Sequence, residues 1–107
     1  MDQTTPDGPR EFIDPELEPL LPRFYANVRK ELDAIDKALG QGDLGEVQRI
    51  AHSIKGSGLG YGFEGLGALG GEMETAASNG HEEAIIREIM DDVRSYLDTV
   101  QVEFFEE

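Results

Sequence analysis

Apolar residues at Phe24, Val28, Leu32, Ile35 and Leu39 recur at steps of three and four. With about 3.6 residues per helical turn, that spacing gathers them on one buried helical face rather than on alternate sides of a strand. Gly40 and Gly42 stop the pattern, which predicts a helix over about 22–40. The same period then returns three times. Asp43 and Glu46 resemble a capping box, and Leu44, Val47, Ala51, Ile54 and Gly58 mark the buried side of a helix that ends in the glycines near Gly60. Leu66, Leu69, Met73, Ala76 and Ala77 form the next stripe, with Asn79-Gly80 as its stop. Ile85, Ile89, Val93, Tyr96, Leu97 and Val100 sustain the last helix, expected to be the longest. Val100 to Phe104 alternates like a strand but has no evident partner, so it reads as a fraying helix end. Four amphipathic segments with short connections predict an all-α fold, an antiparallel up-and-down four-helix bundle. Ahead of it, Asp14-Pro15-Glu16 offers an N-cap, a proline at the first helical position and an early acid, predicting a short extra N-terminal helix that breaks near Pro22.

A chain of 107 residues has room for one modest core, placed at residues 14–107, while Pro6, Gly8 and Pro9 among polar residues make 1–13 a flexible arm. There is no cysteine, which excludes disulfides, thiolate nucleophiles and cysteine-held metals and allows a cytoplasmic setting. No run of about 18 apolar residues appears, so a membrane-spanning reading fails. Nine Lys and Arg against 23 Asp and Glu give a net charge of −14, which repels a phosphate backbone and argues against nucleic acid as a partner.

Against that acidic background, one helix carries a small basic patch. His52 lies roughly 120° from the centre of its helix's apolar stripe, and so faces water. Arg49 one turn before it and Lys55 one turn after it make a candidate anion site, although an exposed helical histidine is by itself most often a solvated bystander. Gly56 stands beside them. Glycine inside a helix costs about 1 kcal/mol relative to alanine, so close approach of a partner explains it better than helix propensity, unless the helix has already frayed there. Eight of the 13 glycines fall in residues 56–71, which marks the turn region as special.

A nucleophilic histidine works best when its other ring nitrogen donates its proton to an acceptor, fixing the tautomer. Around a hairpin turn centred on residue 63, Glu74 faces His52; Glu72 flanks the same stripe on its other side, and the helical wheel alone does not choose between them. Two G-x-G-x-x-G matches, Gly60 to Gly65 and Gly65 to Gly70, lack the strand and βαβ unit that dinucleotide binding needs, and no Walker lysine follows, so no ATP site is expected. His81 has no second histidine at helical spacing, and reads as a surface residue rather than a metal ligand.

The stretch Ala51-His52-Ser53-Ile54-Lys55-Gly56-Ser57-Gly58, followed by Tyr61-Gly62-Phe63, Leu69-Gly70, Glu74 and Ala76-Ala77, resembles the histidine phosphotransfer (HPt) family of two-component phosphorelays. The likeness is strongest over residues 43–78 and extends over about 14–103. His-Ser-Ile-Lys-Gly-x-x-x-x-x-Gly-Phe is also similar to the phosphoryl-accepting domain of chemotaxis kinases. The resemblance implies that His52 is phosphorylated on its outward nitrogen, that Lys55 balances phosphoryl charge and that Glu74 orients the ring. It also implies that Gly56 leaves room for the docking partner, which Arg49 and Ser53 are expected to contact as well. Many phosphorelay members carry glutamine where this chain has Glu74. The implied partners are a response-regulator receiver domain, which brings the aspartate and its Mg²⁺, and a sensor histidine kinase. The chain itself is expected to be a monomeric carrier without cofactor, free-standing or part of a larger kinase. Two alternatives stay open, a receiver-docking module without transfer and an enzyme using His52 and Glu74 as an acid–base pair.

Overall fold

The computed structural model describes residues 8–80 and 82–105. A strand β1 (Arg10–Ile13) leads through a 3-10 helix (Pro15–Leu20) into four helices, α1 (Leu21–Gly40), α2 (Leu44–Tyr61), α3 (Glu64–Ser78) and α4 (Glu83–Thr99), and a strand β2 (Gln101–Phe104) closes the chain. The helices surround one core, in which Val28, Leu32, Ile35, Val47, Ile54, Leu66, Met73, Ile86 and Val93 are almost wholly buried. Burying each such side chain stabilises the fold by about 1.5–3 kcal/mol before conformational entropy is set against it.

Local chemistry fixes the boundaries. Pro22 sits in the first turn of α1, where its missing N–H is no loss, and Asp14 caps the preceding 3-10 helix by accepting the Glu16 N–H at 2.9 Å. The Asp43 carboxylate accepts the Glu46 N–H at 3.1 Å to start α2. Gly62, at φ +96°, ends that helix in a left-handed conformation, and the Phe63 N–H returns to the Gly58 carbonyl at 2.8 Å. Phe63 then enters the core fully buried, stacked on Phe24 at 5.1 Å and edge-on to Tyr96 at 6.4 Å.

Four expectations are corrected. Arg10–Ile13 are not part of an arm, and residues 101–104 are not a fraying helix: the two segments pair as a parallel ladder, Arg10 with Gln101 through Ile13 with Phe104. Each segment is too short to stand alone, and a partner at the opposite end of the sequence leaves no local signal. Because the chain leaves the helix at Val100, α4 has 17 residues and α1, with 20, is the longest helix. The buried face of α4 is also rotated from the expected stripe, with Ile86 and Met90 buried while Ile85 is 41% exposed. Of the expected arm, residues 1–7 lie outside the described residues.

α2 and α3 form a tight hairpin whose glycines meet backbone to backbone. A Cβ on Gly58 would lie 2.9 Å from the Gly67 nitrogen, and one on Gly70 would lie 2.6 Å from the Lys55 nitrogen. Both are nearer than atoms pack, so glycine is what lets these helices touch. Both facing pairs are centred between residues 62 and 63, and that register carries α3 past His52.

Candidate functional site

His52 stands on the outer face of α2 with its side chain 69% exposed, while Glu74, on α3, is 23% exposed. His52 Nδ1 and Glu74 Oε2 lie 2.9 Å apart. An ionised carboxylate only accepts, so the neutral ring that makes this bond carries its proton on Nδ1 and keeps the Nε2 lone pair for an incoming electrophile. The other carboxylate oxygen, Glu74 Oε1, lies 3.7 Å from Lys55 Nζ. One carboxylate on α3 thus holds both the imidazole and the cation one turn beyond it.

The close hairpin determines which acid this is. Glu72 is exposed and lines a separate groove with Thr75, Ile85 and Ile89 on the α4 side, a groove that Lys55 borders from α2. The structure therefore brings Glu74, and not Glu72, to His52. Gly56 is exposed, and a Cβ there would meet nothing within 4 Å, so no packing within the bundle requires glycine at this position.

Arg49 and Ser53 are engaged by acids whose pairing with them the sequence reading did not foresee: Glu46, read there only as part of a capping box, and Glu31. Arg49 grips Glu46 through two hydrogen bonds, Nε to Oε1 at 2.9 Å and Nη2 to Oε2 at 2.6 Å. These bonds hold the Glu46 carboxyl below its ordinary range and push the Arg49 guanidinium up. The Ser53 hydroxyl donates to Glu31 Oε2 on α1 at 2.7 Å. Helical spacing of three residues could have flagged Glu46, whereas Glu31 lies on another helix with no local cue. Gly45, Gln48, Arg49, His52 and Glu74 together line one shallow depression.

Farther from His52, Glu11 of β1 is 8% exposed, and its Oε2 accepts the Gly65 N–H at 2.8 Å and the Tyr96 hydroxyl. Phe63 offers α3 no side-chain cap, so a carboxylate from the far end of the chain supplies it. Among the described residues no group of three or more His, Asp or Glu is arranged to hold a metal ion, and no helix is long and apolar enough to cross a membrane. His81 lies outside the described residues.

Comparison with protein-family models matches the Hpt domain over residues 19–103. No curated protein and no solved structure matches the chain. The family match runs from the end of the 3-10 helix into β2 and takes in all four helices, so the chain belongs to the histidine phosphotransfer (Hpt) domain family, the phosphocarriers of two-component signalling.

Proposed function

We propose that this chain is a phosphocarrier whose His52 exchanges a phosphoryl group with an aspartate of a response-regulator receiver domain, loaded from a sensor histidine kinase. The observation that carries the reading is the 2.9 Å bond between His52 Nδ1 and Glu74 on an otherwise exposed ring. The Nε2 lone pair forms the N–P bond as the P–O bond of the aspartyl phosphate breaks, and the aspartate leaves with its electron pair. The Nδ1 proton stays in place, so the phosphoimidazolium formed is paired with the Glu74 carboxylate. Lys55, within reach of the same carboxylate, balances charge on the phosphoryl oxygens. Mg²⁺ and the remaining catalytic groups belong to the receiver, so this chain needs no cofactor of its own. Gly56, with open space above it, admits the partner's backbone beside the ring, and Arg49 and Ser53, exposed on the same helix, are its further contacts.

The working unit in this reading is a monomeric, up-and-down antiparallel bundle in the cytoplasm. Incubation with a phosphorylated receiver domain tests it. Label should move to the wild-type chain and not to His52→Gln, with both proteins equally folded. Binding without transfer would make the chain a docking module instead.

A further inference from the structure

Both cations that flank His52 are already occupied by carboxylates, Lys55 by Glu74 and Arg49 by Glu46. A phosphoryl group would bring up to about two negative charges to a depression that Glu74 also lines, in a chain of net charge −14. The two pairs differ in kind. Glu74 is committed to the ring as well as to Lys55, whereas among the described residues Glu46 bonds through its side chain only to Arg49, and this pair is open to water, with side-chain exposures of 68% for Arg49 and 40% for Glu46. An ion pair this open to water contributes little to stability, so exchanging its partner is cheap. A guanidinium matches phosphoryl oxygens with the same two-pronged geometry it uses on a carboxylate.

A surface pair of this kind is ordinary in itself, and Arg87 with Glu83 makes another on α4. Arg49 differs by its address. It lies one helical turn before His52 and lines the same depression as the ring.

We propose that Arg49 is a reserve cation for the loaded state, held by Glu46 while His52 is bare and transferred to the phosphoryl oxygens once His52 is phosphorylated. Glu46 then competes with the phosphoryl group for Arg49 and sets how strongly His52 retains its cargo. This rests on the carrier reading. No bond beyond those of the transfer step is made or broken, because only an ion pair changes partner.

Two measurements on the whole chain test it. The first follows the Arg49 side-chain N–H and the Glu46 carboxyl carbon by NMR before and after loading with phosphoramidate, a small phosphoryl donor that needs no protein partner. Arg49 should move and Glu46 should take on the signature of a free carboxylate. The second measures the equilibrium partition of phosphoryl between His52 and a receiver domain. Arg49→Gln should shift it away from His52 by roughly three- to tenfold, and Glu46→Gln should shift it toward His52. The double variant should match Arg49→Gln alone, since Glu46 acts only through Arg49. A Glu46→Gln effect that persists without Arg49 would mean direct repulsion and overturn the proposal. So would normal loading with the Arg49 resonance unmoved and the partition unchanged, a result that leaves the carrier reading intact. Failure of the wild-type chain to accept phosphoryl from either source would remove the carrier reading and this inference together.

Discussion

The Glu11 carboxylate lies 2.8 Å from the backbone N–H of Gly65, a residue 54 positions later in the chain. It also accepts the Tyr96 hydroxyl, so one buried side chain joins β1, the start of α3 and α4. Glu11→Ala leaves a helix-end donor and a buried hydroxyl without their acceptor, which should lower unfolding stability by about 1–3 kcal/mol. Urea denaturation measures this, and a loss below about 0.5 kcal/mol would mean that water replaces the carboxylate at no cost.

Tyr96 gives the same junction a signature in alkali. Burial first, and then its hydrogen bond to Glu11, push its hydroxyl well above the ordinary value of 10. Above that value the unfolded chain releases the proton while the folded chain keeps it, so stability present below pH 10 is lost as pH rises further. Between about pH 10 and about pH 12 the wild-type denaturation midpoint should therefore fall more steeply than that of Tyr96→Phe. Equal slopes would place the alkaline loss elsewhere, with Tyr25, also raised by burial, the first place to look.

Two glycines of the hairpin should respond in opposite ways. A Cβ on Gly70 would meet the Lys55 backbone at 2.6 Å, so Gly70→Ala should destabilise by about 1–3 kcal/mol. Gly56 faces open space, and Gly56→Ala should hold or raise the melting temperature through helix propensity. Gly56→Glu should keep the fold and lose receiver binding by an order of magnitude or more, because a long acidic side chain would occupy the approach to His52. Loss of stability in step with binding would show that Gly56 serves packing.

Of the two candidate acids on α3, only Glu74 touches the ring. Glu74→Ala should slow phosphoryl transfer by roughly tenfold or more, the usual size for removing the group that orients a working imidazole. Glu72→Ala should leave the rate unchanged. Initial transfer rates from a phosphorylated receiver decide it, and the reverse ranking would overturn the assignment.

The residues that made the site legible are those whose spacing is local. His52, Lys55 and Gly56 share one helix, and a hairpin centred on residue 63 already put Glu74 opposite the ring. The choice between Glu72 and Glu74 needed the angle at which α3 lies on α2, which the contacts of Gly58 with Gly67 and of Gly70 with Lys55 determine. The four helices were legible for the same reason, since each repeats its apolar period within itself. What sequence reading missed was non-local. Arg10–Ile13 become a strand only because Gln101–Phe104 lie alongside, and Glu11, within the stretch read as an arm, gains its role only where Gly65 and Tyr96 close around it. The shift from Ile85 to Ile86 on α4 is a rotation of one residue, which packing decides when apolar residues are adjacent.

The ladder between β1 and β2 also sets how the domain bears load. Its strands run parallel, so the chain enters at one end of the ladder, at Arg10, and departs at the other, at Phe104. Tension applied through these two ends pulls the strands past each other lengthwise, and all the ladder's hydrogen bonds resist together rather than parting one after another as in a zipper. The helices and the His52 surface lie between the two strands in sequence, so this seam is the first element that such a force meets. The bundle is thereby shielded from strain carried along the polypeptide, and the His52–Glu74 alignment should outlast pulling that would peel open a bundle without such a clasp.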